Sequence, residues 1–248
     1  KSNLRDAFRF LHGISRGYTL PEIIGEKYIE GGVLQWRGIR GGTREVTFGE
    51  TSEFALTAEL KTGKETVRYC IRTQLANEDM QPRVTRESLS IKSRGFFGWD
   101  GIYDTHWSDD PPAQEGHPYI FIRLPRDGRN RKHGKRLRFL DSTPVLTQFC
   151  DHREAKRAYR DVVERVVEAL GSMRFLDLAP DAMRLPSLPG QYVLGDRGEN
   201  LSSVLQAICA EKQSKEAMTN WLTALTPLDV VDFEFVPDQT GRILLNLV

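Results

Sequence analysis

Cysteine is scarce and scattered: Cys70, Cys150 and Cys209 are the only three in 248 residues. An odd number, far apart and without a C-x-x-C pair, argues against a disulfide framework and against a cysteine zinc site. The pattern fits a reducing compartment, so a cytoplasmic location is expected. Histidine adds no metal signature, since His12, His106, His117, His133 and His152 form no H-x-x-x-H pair. Net charge is nearly absent too. The 35 Lys and Arg residues oppose 34 Asp and Glu, leaving +1 at pH 7, and bulk electrostatics imply no particular partner. No apolar run approaches the length of a membrane span, and no signal peptide is visible. What is there is an apolar fraction of 39%, enough to form the core of one large domain or two small ones.

The first residues, Lys1-Ser2-Asn3, run straight into Leu4-Arg5-Asp6-Ala7-Phe8-Arg9-Phe10-Leu11-His12. Leu4, Ala7, Phe8 and Leu11 fall at i, i+3, i+4 and i+7, which predicts a helix with that face packed on a sheet. A lysine and a hydroxyl residue then stand at the N-terminal end of a helix, as they do where a phosphate-binding loop G-x-x-x-x-G-K-[S/T] ends. Backbone N–H groups and the helix dipole attract anions there. In such loops the lysine reaches the β- and γ-phosphates and the hydroxyl ligates Mg²⁺. The sequence begins at the lysine, so the loop glycines are not in it. Three residues alone are explained more simply by an arbitrary start.

Further along, Gly31-Gly32 and Gly41-Gly42 bracket Val33 to Arg37, a short strand or turn. Neither glycine pair is followed by a lysine and a helix, which argues against phosphate cradling. Glu22 to Ile29 reads as an added helical turn. Phe54, Leu56, Ala58 and Leu60 alternate as a half-buried strand, Lys61 to Lys64 turn, and Val67, Tyr69 and Ile71 return. Val84 to Ile91 reads as a third strand. Residues 92 to 118, rich in Gly, Asp, Pro and aromatics, read as a long aromatic-anchored loop. His106, Asp109 and Asp110 in it match no established metal spacing. Tyr119 to Leu124 is another strand. Arg123 to Arg138 then places Arg123, Arg126, Arg129, Arg131, Lys132, Lys135, Arg136 and Arg138 against the single acid Asp127. That local excess suits contact with a nucleic-acid backbone, while a solvated hairpin tip between Leu124 and Leu137 is the plainer reading.

After residue 150 the pattern turns helical. Ala155, Tyr159, Val162, Val163, Val166 and Leu170 form a stripe that Gly171 stops. A proline-punctuated linker, 177 to 189, leads to a helix on Leu201, Val204, Leu205 and Ile208, with Asn200 as its expected N-cap. Met218, Trp221, Leu222 and Leu225 mark another helix. Val231, Phe233 and Phe235 alternate as a strand, and Ile243 to Val248 pairs back. Both ends look cut, as in the middle of a longer protein.

Three stretches carry a family resemblance. Lys1-Ser2-Asn3-Leu4-Arg5-Asp6-Ala7-Phe8-Arg9-Phe10-Leu11 resembles the end of G-x-N-G-S-G-K-S-N with its L-x-D-A-[IFL]-x-F-L helix. Met173 to Arg184, with Asp181-Ala182-Met183-Arg184 at its end, resembles a short strand followed by D-P-x-x-[LM]-R. Gly195-Asp196-Arg197-Gly198-Glu199-Asn200-Leu201-Ser202-Ser203-Val204-Leu205 resembles G-x-N-L-x-x-V-L. Together, in this order and spanning most of the chain, they resemble bacterial AAA-family ATPases of the SMC/RecF-like ABC class.

The resemblance implies an α/β fold: an ABC-type, P-loop NTPase head with an antiparallel β subdomain and an inserted helical lobe, incomplete in this chain. The implied parts are a P-loop helix and loop (1–32), a β-rich subdomain (33–149), a helical lobe (150–228) and a returning hairpin (229–248). It implies ATP and Mg²⁺ as cofactors, with Lys1, Ser2 and Asn3 at the nucleotide. Ser2 would be at the metal, and Gln148, before the helical lobe, could sense Mg²⁺ as a Q-loop glutamine does. An ordinary polar role for Gln148 is the alternative. The glycines would lie upstream, and the signature motif, Walker B carboxylates and switch histidine downstream. Phe175-Leu176-Asp177 and Val230-Val231-Asp232 lack an acidic pair, so no catalytic residue is assigned and this segment is not expected to hydrolyse ATP alone. The implied activity is an ATPase in DNA repair or anti-phage defence, paired head to head, with a nuclease or other effector as partner and with DNA nearby but no membrane. The competing reading is a non-catalytic nucleic-acid-binding or scaffolding module. It would use Arg126, Arg129, Arg131, Lys132, Lys135 and Arg136. A dinucleotide fold through Gly195 and Gly198 is disfavoured, because the third glycine and a leading strand are missing.

Overall fold

In the computed structural model the described residues are 2–49, 51–75, 81–92, 98–105, 118–124, 135–152, 155–227 and 230–248. The chain is mixed α/β and divides into two compact units, 1–173 and 174–248. The division falls after the helix that was expected to open the helical lobe at residue 150.

The first unit is built on six antiparallel strands in sequential order: β3 (Glu53–Thr62), β4 (Glu65–Leu75), β5 (Pro82–Lys92), β6 (Trp99–Asp104), β7 (Tyr119–Arg123) and β8 (Arg136–Leu140). A separate hairpin pairs β1 (Glu26–Ile29) with β2 (Val33–Arg37). The predicted hairpin of β3 and β4 and the predicted β5 are present. β6 lies inside the stretch read as loop. Its side chains alternate too briefly, around Gly101, to announce a strand.

Alternation gives the large sheet one dry face. Val67, Tyr69, Ile71, Leu89, Tyr103, Ile120, Ile122, Leu137 and Phe139 are buried on it. Against them pack α1 (Ser2–Ser15), α4 (Val145–Cys150) and α5 (Arg157–Gly171), through Phe10, Ile14, Leu146, Phe149, Val163, Val166 and Leu170 among others. The α5 stripe is the one the sequence predicts. A five-residue helix, α2 (Leu20–Ile24), opens with a capping box: Glu22 N donates to Thr19 Oγ1, and Thr19 N donates to the Glu22 carboxylate. It replaces the helical turn expected over 22–29, whose second half is β1. A one-turn helix, α3 (Gly42–Glu45), follows β2. Gly38 has no substitute, because a Cβ there would sit 1.5 Å from the Gly25 carbonyl oxygen.

The packing face of α1 differs from expectation. Leu4 and Phe8 are exposed, at 63% and 45%, while Phe10, Leu11, His12 and Ile14 are buried. The stripe that enters the core is Phe10, Leu11 and Ile14 with part-buried Ala7, rotated from the predicted one. The cause is local. Phe10 meets Phe54 of β3 edge to face at 5.2 Å, and the His12 ring lies 3.0 Å from the Leu170 carbonyl oxygen of α5. A buried histidine thus counts toward the inner face, which an apolar tally omits.

The second unit contains α6 (Pro180–Met183), α7 (Leu201–Cys209), α8 (Lys212–Leu225) and a hairpin of β9 (Phe233–Pro237) and β10 (Ile243–Leu247). Among its described residues, Ala182, Val204, Val230, Phe233 and Ile243 are the buried apolar ones.

Candidate functional site

At the start of α1, Ser2 opens a 14-residue helix, and Lys1 lies outside the described residues. Asn3 and Asp6 occupy the first turns. The loop after β2 brings Arg40 to them: its guanidinium donates to Asp6 Oδ2 at 2.6 and 2.9 Å and reaches Asn3 Oδ1 at 3.5 Å. The Asp6 carboxylate raises the pKa of Arg40 further. An Arg40–Asp6 ion pair therefore stands beside the helix end where the sequence places a lysine and a serine. Sequence reasoning did not single out Arg40, because 34 residues separate it from Asp6.

Gln148 lies on α4. Its amide oxygen accepts from Leu140 N at 3.0 Å, and its nitrogen donates to the carbonyls of Leu140 and Thr143 at 2.9 and 2.7 Å. The side chain thus continues the hydrogen bonding of β8, the last strand in the sheet order.

Four residues of the basic cluster, Arg126, Arg129, Arg131 and Lys132, lie outside the described residues, as do His106, Asp109 and Asp110. Lys135 closes the β7–β8 ladder, its carbonyl accepting from Leu124 N at 3.0 Å. The Arg136 guanidinium lies 3.8 Å above the Phe121 ring, and that of Arg138 lies 4.6 Å above Tyr119.

Sequence reasoning missed one buried polar centre. Glu87, in the middle of β5, is fully buried. Its Oε1 accepts from Tyr69 Oη at 3.1 Å, Tyr103 Oη at 2.9 Å and Leu146 N at 2.7 Å; its Oε2 accepts from Val145 N at 2.7 Å. The carboxylate from β5 thus satisfies the first amides of α4, whose own preceding residue, Pro144, has no capping side chain. Burial pushes the Glu87 carboxyl up to about 7, against the pull of its four donors. Burial and the neighbouring Glu87 also hold Tyr69 and Tyr103 well above the usual phenol range. The available signal was a glutamate at an inward position of an otherwise apolar strand face.

In the second unit the two family-like stretches meet. Asp177 N donates to the Asp196 carbonyl at 2.7 Å and Ala179 N to that of Arg197 at 3.0 Å. Arg174 donates to the Leu194 carbonyl at 2.6 Å. Gly198 has φ +76°, and a Cβ there would approach Met183 Cγ to 2.6 Å, so glycine is required twice over. Asn200 precedes α7 without capping it. Its side chain accepts from Gly195 N at 2.7 Å and donates to Gln191 Oε1 and the Val193 carbonyl at 2.6 and 2.9 Å. The motif here ties a loop to a helix.

Among the described residues, no cluster of three or more His, Cys, Asp or Glu could hold a metal ion, and no helix is long and apolar enough to cross a membrane. No protein-family model, curated protein or solved structure matches the chain.

Proposed function

We propose that the chain is the ATP-binding part of an SMC/RecF-like ATPase head, which hydrolyses ATP in the intact protein and works in DNA repair or anti-phage defence. The observation that supports it most is the first turn of α1. A Lys-Ser-Asn sequence sits at the start of a long helix, with the Arg40 guanidinium held alongside by Asp6. A triphosphate there would meet the helix dipole and the Lys1 ammonium, beside an Arg40 whose charge is already paired with Asp6. Ser2 would supply its hydroxyl to Mg²⁺, which when bound neutralises phosphate charge. Asn3 would orient Arg40. Leu4 and Phe8, expected on the packed face of this helix, are exposed instead; that outcome counts against the ATPase reading as a whole, which is left resting on the helix start and the three quoted motifs. Head-to-head pairing and an effector nuclease belong to the same proposal.

The test uses a chain that carries the phosphate-loop glycines ahead of Lys1. Lys1→Ala abolishes ATP hydrolysis and leaves the ligand-free Tm unchanged, whereas Ser2→Ala shifts the Mg²⁺ requirement upward. Wild-type hydrolysis in Lys1→Ala contradicts the proposal. The second reading, a nucleic-acid-binding module without catalysis, is favoured by Arg136 and Arg138 on their aromatic rings.

A further inference from the structure

The face of the large sheet opposite the core is cationic at its β7–β8 end. Ile120, Ile122, Leu137 and Phe139 point inward and are buried. Alternation therefore sends Tyr119, Phe121 and Arg123 of β7, and Arg136 and Arg138 of β8, to the other face. The register sets Phe121 opposite Arg138 and Arg123 opposite Arg136. Each stacked pair is thus diagonal, with Arg136 reaching back over Phe121 and Arg138 over Tyr119.

Three features of this arrangement point to one ligand. First, neither Arg136 nor Arg138 has a carboxylate partner among the described residues. By contrast, Arg68 and Arg72 on β4 are paired with Glu59 and Glu53 at 2.6 and 3.1 Å. Among the described residues, the β4 arginines are therefore ion-paired while Arg136 and Arg138 are not. Second, a guanidinium held over a ring by its Cζ keeps N–H groups able to meet a phosphate. Third, Arg136 and Arg138 are two residues apart on one strand, so they repeat at about 6.7 Å. That repeat suits successive phosphates of an extended polynucleotide.

We infer that the outer face of β7 and β8 is a docking surface for single-stranded nucleic acid, which runs along the strands with its phosphates on Arg136 and Arg138. Tyr119 and Phe121 are positioning residues that hold the two guanidiniums in place. The inference rests on the nucleic-acid reading and is independent of the ATP one, since it involves no residue of α1.

The experiment is fluorescence anisotropy of the full chain with labelled 15-nucleotide DNA and RNA single strands and with a 15-base-pair duplex, without nucleotide, across a salt series. The expected result is tighter binding of a single strand than of the duplex. Whichever single strand binds tighter identifies the source of the shared phosphodiester chemistry. Arg136→Gln with Arg138→Gln weakens binding at least tenfold and flattens the salt dependence by roughly 1.4 in log–log slope, about 0.7 for each phosphate no longer neutralised. Tyr119→Leu with Phe121→Leu weakens binding several-fold and leaves the slope unchanged, because both charges remain. Lys61→Gln with Lys64→Gln, at the other end of the sheet, changes neither. Circular dichroism melting confirms that each variant is folded. Preference for the duplex, absence of binding, or an equal loss in the Lys61/Lys64 variant overturns the inference. Loss of this binding with Mg-ATP binding intact separates its failure from that of the ATPase proposal.

Discussion

Glu87 shows what a single residue decides in this chain. Two tyrosine hydroxyls and two helix amides converge on one buried carboxylate, which joins α4 to the sheet. Its carboxyl titrates near 7 when folded against an ordinary 4.5. Between those values the folded state binds more protons than the unfolded one, so stability falls as pH rises through the window. We predict that chemical denaturation shows the wild type losing on the order of 3 kcal/mol between pH 4.5 and 7.5 relative to Glu87→Gln, which lacks this titration. A parallel pH dependence in both proteins contradicts this. Gln148 is a second such residue. Gln148→Ala frees Leu140 N and two carbonyls, and is expected to lower stability by roughly 1–2 kcal/mol in urea unfolding.

At the scale of elements, α1 carries the sharpest contrast. Phe10→Ala and Ile14→Ala empty the core and are predicted to cost about 2–5 kcal/mol each. Leu4→Ala and Phe8→Ala stay within about 0.5 kcal/mol, because both side chains are exposed. Thermal melts of the four variants check this, and large losses at Leu4 or Phe8 contradict the packing described. The element pattern was legible where one period dominated. β3, β4, β7, β9, α5 and α7 all follow runs of alternation or of i, i+3, i+4 spacing. The face of α1 was not legible, because Leu4, Ala7, Phe8, Phe10, Leu11 and Ile14 spread over an arc of about 160°, wider than the roughly 100° stripe of an ordinary amphipathic helix. Only contact with Phe54 and α5 selects between two stripes. The roles of Gly195, Gly198 and Asn200 were legible as a motif but not as geometry. Their loop-to-helix ties depend on residues such as Gln191 and Met183, which spacing does not link to them. Gly198→Ala is predicted to cost roughly 1–3 kcal/mol through its positive φ, and the close approach to Met183 adds to that; a neutral effect on Tm contradicts it.

For the whole molecule, the sequence reading reaches as far as a mixed α/β chain with an antiparallel sheet. The proposed site depends on groups distant in sequence, as Arg40 and Asp6 show, and periodicity carries no information about such pairs. The claim on which the account turns is that a triphosphate binds at the head of α1. The direct measurement is calorimetric titration of Mg-ATP into the intact protein, wild type beside Lys1→Ala. The account predicts saturable binding by the wild type and at least a hundredfold weaker binding by Lys1→Ala, with both proteins melting alike in the absence of nucleotide. Equal dissociation constants for the two proteins would contradict it.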